Sequence, residues 1–76
     1  MKIRLENLND VHEFVELASK IKADITLSRG KASVDGKSIM GLVYLNPYTP
    51  VEMESYPEED IDILHLDELY RRFKAD

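Results

Sequence analysis

The change of hydrophobic period along the chain is what most narrows its possible folds. "KIRL", Lys2 to Leu5, alternates with Ile3 and Leu5 on one face, the two-residue repeat of a half-buried strand. "NLNDVHEFVELASKIK" then shifts to three- and four-residue steps, so that Val11, Phe14, Val15, Ala18 and Ile21 form one stripe of a helix. Asn9 or Asp10 is expected to cap it, with Glu13 completing a weak capping box three residues after Asp10. His12, Glu16 and Ser19 fall on the opposite face, free for a partner.

"ADITLSRGKASVDG" reads as a hairpin, with Ile25 and Leu27 alternating in one arm, Ala32 and Val34 in the other, and Arg29-Gly30 at the turn. "KSIMGLVYLN" follows as a short helix with Ser38 at its N-terminus, stopped by the prolines of "NPYTP". "VEMESY" alternates again and supplies a last strand. The final segment is double-natured. "IDILHL" alternates like a strand, but Leu66, Leu69, Tyr70 and Phe73 make a helical stripe, and a helix starting between Pro57 and Ile63 is expected. The order β-α-β-β-α-β-α predicts an α+β two-layer fold: a four-stranded antiparallel sheet with three helices on one face, one domain over residues 1–76.

Size and charge then exclude function classes. A chain of 76 residues builds a two-layer core but not a deep catalytic cleft, so no enzyme is expected. It has no cysteine, which removes disulfides, zinc-cysteine clusters and thiol chemistry. Fifteen acids against ten bases, a net charge of -5, argue against nucleic acid as a partner, because phosphate contacts need clustered Lys and Arg. The densest charge run, "SYPEED", reads as a solvated loop ahead of a helix. Nothing in the sequence reads as a signal peptide or membrane span, and a soluble cytoplasmic protein without membrane partner, cofactor or metal is expected.

"VDGKSIMGL" raises the chemical question. A nucleotide-binding loop needs Gly, four residues, then Gly-Lys-Ser or Thr, so that its backbone amides wrap a phosphate. Here five residues separate Gly30 from Gly36, and "KASVD" reads as a strand arm, so that reading fails. Ser38 retains two roles. It caps the helix with its hydroxyl, or it accepts a phosphoryl group, whose charge of about -1.5 to -2 the positive end of a helix tolerates. Ile39, Met40 and Val43 follow it in a helix too short to bury every apolar side chain. Each alone reads as core, yet exposure of Ile39 or Met40 beside Ser38 would make an apolar docking surface.

"ASKIKADITL", the turn and "VDGKSIMGLVYL" resemble the HPr family, the histidine-containing phosphocarriers of the bacterial phosphoenolpyruvate-dependent sugar phosphotransferase system. The similarity runs without gaps from about Phe14 to Leu45, and "KSIMG", Lys37 to Gly41, is its most specific part. It implies an open-faced β-sandwich, and it implies that Ser38 is the residue a dedicated ATP-dependent serine kinase phosphorylates. The family's phosphate-accepting loop, His-x-Arg-Pro, aligns on Asn7, Asn9 and Asp10, so the acceptor histidine, the arginine and the proline are all missing. An asparagine cannot carry a labile phosphoryl group, and Asp10 would repel one.

Three functions compete. In the first, Ser38 is phosphorylated, and Lys37, Ile39, Met40 and Val43 with His12, Glu16 and Ser19 dock partners. By resemblance these are the serine kinase, a transcriptional regulator of carbon catabolite repression, or phosphotransferase components. In the second, the same surface serves an interaction module that is never phosphorylated. In the third, His12 replaces the lost acceptor, although it lies about a turn inside the helix with no arginine near in sequence. His12 and His65 otherwise read as ordinary helix residues, and their spacing suggests no metal site.

Overall fold

The computed structural model describes residues 1–75 and sets seven elements in the expected order: β1 (Lys2–Ile3), α1 (Leu8–Ala18), β2 (Thr26–Arg29), β3 (Ala32–Asp35), α2 (Ile39–Leu45), β4 (Val51–Glu54) and α3 (Asp60–Phe73). The strands lie in the order β1-β4-β2-β3, every neighbouring pair antiparallel. Three helices and a four-stranded antiparallel open sheet are thus the architecture that the periodicity predicts. In one cross-strand row Leu27 stands opposite both Met53 and Val34, and Leu27 and Met53 are fully buried against the helices. The pleat sends Thr26, Glu52 and Glu54 to the other face, where they are exposed.

The hairpin turn is Gly30-Lys31. Arg29 remains paired with Ala32, and Gly30 takes the left-handed conformation, φ 58°, that the reversal demands. Arg29 acts elsewhere: its guanidinium donates to the Asn46 carbonyl and to Thr49, tying the end of β2 to the loop after α2. Helix α2 ends before the prolines. Asn46 closes it in the left-handed region, φ 58°, with its N–H on the Val43 carbonyl, so Pro47 follows a helix already stopped.

The core sits between α1, α3 and the sheet. Phe14 of α1 meets Phe73 of α3 edge-on, ring centroids 5.6 Å apart, and the Arg72 guanidinium lies 4.7 Å from the Phe73 centroid. Beyond Phe73 the chain joins the sheet edge: Arg4 N–H donates to the Phe73 carbonyl at 2.9 Å and Ala75 N–H to the Lys2 carbonyl at 2.9 Å. β1 is therefore bonded on both sides, by β4 and by the end of the chain.

One buried carboxylate fixes the start of α3. Asp62 is only 3% exposed, and one of its oxygens accepts the Lys22 and Ala23 N–H groups at 3.1 and 3.2 Å, satisfying the turn that follows α1. Asp62→Ala leaves those donors without that acceptor and should cost about 1–3 kcal/mol in urea unfolding. Asp62→Asn keeps one acceptor oxygen and should recover part of the loss.

Candidate functional site

Ser38 stands between β3 and α2 in extended conformation, and its Oγ accepts the Gly41 N–H at 3.1 Å. The segment leading to it is held tightly. Gly36 N–H donates to the Ile25 carbonyl at 2.7 Å, and a Cβ at Gly36 would come within 2.6 Å of the Ile25 side chain, so only glycine passes there. Gly36-Lys37-Ser38 is thus a packed strand-to-helix corner and not a phosphate-wrapping loop. Gly41 matters for the hydroxyl itself. A Cβ there would stand 3.4 Å from Ser38 Oγ and 3.2 Å from Val34 Cβ, so glycine keeps the space beside the oxygen open.

Around Ser38, Lys37 and Asp35 set the charge. The Asp35 carboxylate accepts the Lys37 N–H at 2.9 Å, while Lys37 Nζ reaches the Ile21 carbonyl at 2.5 Å and is half-buried. Lys37 therefore ties α2 to the turn after α1 while placing a cation next to Ser38 in the chain. Ser38 is itself half-buried. The apolar residues behind it are open: Ile39 and Val43 are exposed, and Met40 is 84% exposed. All three lie on the solvent side of α2, and Leu42 and Leu45 alone anchor the helix in the core. Tyr44, which the sequence reading did not single out, is equally bare at 79%. The available signal was a seven-residue helix in which every residue but Gly41 is apolar.

Helix α1 packs beside α2, and its residues His12, Glu16 and Ser19 are exposed. Ser19 Oγ also donates to the Val15 carbonyl at 2.7 Å, closing the last turn.

The N-terminus of α1 differs from expectation. Its cap is Asn7, whose Oδ1 accepts the Asp10 N–H at 2.9 Å; neither Asn9 nor Asp10 caps it. Asp10 turns back instead. It is 8% exposed, one oxygen accepts the Glu6 N–H at 2.9 Å, and the other lies 3.6 Å from Arg72, which also pairs with Glu13 at 2.8 Å. Glu13 thus answers to α3 and not to a capping box. The mouth of the helix where an anion would settle already holds the chain's own carboxylate and an asparagine amide. His12 lies past the free amides of the first turn, which begins at Leu8. His65 is half-buried in α3, its Nδ1 without a partner. Among the described residues no cluster of three His, Asp or Glu side chains could hold a metal ion, and no helix is long and apolar enough to cross a membrane.

An open antiparallel sheet ordered β1-β4-β2-β3 beneath three helices, with a serine heading the second, is the architecture of the HPr phosphocarriers. The family model described as "PTS HPr component phosphorylation site" matches residues 9–49, more than half of the chain. This chain belongs to the HPr family. No curated protein matches it significantly. Among solved structures it is similar to HPr-C-His from Thermoanaerobacter tengcongensis, with 26% identity over 93% of this chain and 89% of that one and a TM-score of 0.73. The phosphocarrier protein HPr from Bacillus anthracis shares the fold at 23% identity, with a TM-score of 0.76 over 97% of this chain and 94% of that one. Crh, the Bacillus subtilis catabolite repression containing protein, is 25% identical, with a TM-score of 0.62 over 91% of this chain and 78% of that one.

The cap geometry has a measurable consequence. Asn7→Ala removes the acceptor of the Asp10 N–H and should cost about 1 kcal/mol, lowering the melting temperature by about 4–8 °C, whereas Asn7→Ser should retain most of the stability.

Proposed function

We propose that this chain is a regulatory and interaction protein of the phosphoenolpyruvate-dependent sugar phosphotransferase system, phosphorylated on Ser38 rather than on a histidine, and not an enzyme. The observation that carries this reading is the pairing of an accessible-side helix cap with bare apolar neighbours: Ser38 heads α2 while Ile39, Met40 and Val43 face solvent behind it. A phosphoryl group on Ser38 Oγ would replace the hydroxyl's bond to Gly41 N–H with a stronger, charged one, and the helix end contributes about 0.3 to 1 kcal/mol. Asp35 opposes that charge and Lys37 favours it. The modified domain keeps its fold and changes its surface. The similarity to Crh supports a place in catabolite repression, with the serine kinase and a transcriptional regulator as partners in a cytoplasmic setting.

At the other candidate position Asn7 is occupied as a cap and Asp10 is buried in place of a phosphate, which supports loss of histidine phosphotransfer. The rival reading, an interaction module that is never phosphorylated, draws on the engagement of Ser38 Oγ with Gly41. Incubation with an HPr serine kinase and labelled ATP separates the two. Label is expected on the native chain and absent from Ser38→Ala, whose melting temperature should fall by only a few degrees for a cap worth about 1 kcal/mol. An unlabelled native chain would favour the module, and label persisting in Ser38→Ala would assign another hydroxyl. Phosphoenolpyruvate with the general phosphotransferase enzyme should leave His12 unlabelled.

The docking surface has its own test. Met40→Glu should weaken binding of the transcriptional regulator by about tenfold or more while shifting stability within about 0.5 kcal/mol, as expected for a side chain so exposed.

A further inference from the structure

Helix α1 packs against both α2 and α3, so α3 lies across α1 from the Ser38 surface. The first two turns of α3 carry apolar side chains that the core does not use: Ile61, Ile63 and Leu64 are 50%, 49% and 52% exposed. Ile61 and Leu64 are one turn apart and project together as the ridge, while Ile63, two residues from Ile61, lies on the other flank of the helix. Beside the start of the same helix opens a cleft of about 420 Å³ lined by Lys22, Ala23, Asp24, Tyr56, Glu58, Glu59 and Asp62.

The charge of this region is one-sided. Asp62 turns its carboxylate onto the Lys22 and Ala23 N–H groups, but Asp24, Glu58 and Glu59 are exposed, and Asp60 and Glu54 stand near them in the chain. Lys22 is the single cation among the lining residues, its Nζ 3.6 Å from Glu59 in an exposed pair that a competitor displaces at little cost. The positive end of α3 is outweighed by Glu58, Glu59 and Asp60 around its first turn. Tyr56, 81% exposed, donates its hydroxyl to Glu54 at 3.1 Å. That bond and the glutamate charge hold the phenol pKa above its usual value.

We propose that this cleft and ridge form a second docking surface, built from residues other than those around Ser38, for a basic amphipathic helix of a protein partner. A Lys or Arg side chain enters the cleft between Asp24, Glu58 and Glu59 beside the Tyr56 ring, and the partner's apolar side chains cover Ile61 and Leu64. Glu58 and Glu59 stand just ahead of α3, whose first residue is Asp60, so the charged contacts lead directly into the apolar pair Ile61 and Leu64. An anionic bilayer or a nucleic acid would meet the same carboxylates with repulsion.

The probe is a synthetic amphipathic Leu/Lys helix peptide, with its Leu/Glu counterpart as control, titrated into the isotope-labelled full chain while amide shifts are followed. Saturable shifts centred on 22–24 and 56–64, weakened as salt rises, are expected for the Leu/Lys peptide alone. The affinity should fall about tenfold in the double variant Glu58→Lys, Glu59→Lys and comparably in Ile61→Ser, Leu64→Ser, both altering exposed side chains. Equal binding of the Leu/Glu peptide, shifts centred on α2, or no saturable binding would overturn the proposal. None of these outcomes bears on phosphorylation of Ser38.

Discussion

The edge-on contact of Phe14 with Phe73 is the joint on which the rest of the arrangement depends. It fixes α3 beside α1 and brings the last residues of the chain to β1, where Phe73 and Lys2 offer carbonyls to Arg4 and Ala75. The same seam orients Arg72, which stacks on the Phe73 ring and reaches Asp10 and Glu13 on α1. A local aromatic contact therefore sets both the helical layer and the charge at the head of α1. Were α3 to shift, Asp10 would lose the cation that makes its burial tolerable.

Much of this was legible in the chain itself. Of the stripe Val11, Phe14, Val15, Ala18 and Ile21, all are buried but Val15, which is half-buried; α1 stops at Ala18, so Ile21 reaches the core from the turn after the helix, and the alternation of Leu27 and Met53 places both in the core. What escaped were interactions between distant segments. Asp62 sits inside "IDILHL", where nothing local announces that it caps the turn at Lys22 and Ala23. The strand-like alternation there has a simple origin: Ile61, Ile63 and Leu64 are not core residues at all. The cap of α1 was misplaced by its chemistry, since Asn7, Asn9 and Asp10 are all competent caps, and the backbone path of β1 selects the first of them.

At the candidate site, local signals carried further. Ser38 before a short apolar helix sufficed to place it at the N-cap, and the limited burial capacity of seven residues predicted exposed neighbours. The structure went beyond the expected single exposed residue, leaving Ile39, Met40, Val43 and Tyr44 all open to solvent. The role of the flanking glycines needed coordinates. Gly36 leaves room for Ile25, and Gly41 for Val34 as well as for the oxygen of Ser38 three residues before it. The match of the family model begins at Asn9, two residues past Asn7, so it covers the serine corner while leaving the altered head of α1 at its boundary.

A sheet offers unpaired backbone wherever its row of strands ends. At one end of this sheet that opportunity is removed by the chain's own tail, because Lys74 bridges Ile3 on the side that β4 leaves open. For Crh, the swapped, intertwined dimer shows a relative in which parts of two copies change places. Here, freeing β1 means breaking the tail's bonds as well as those to β4, and β3 is left as the open margin of the sheet.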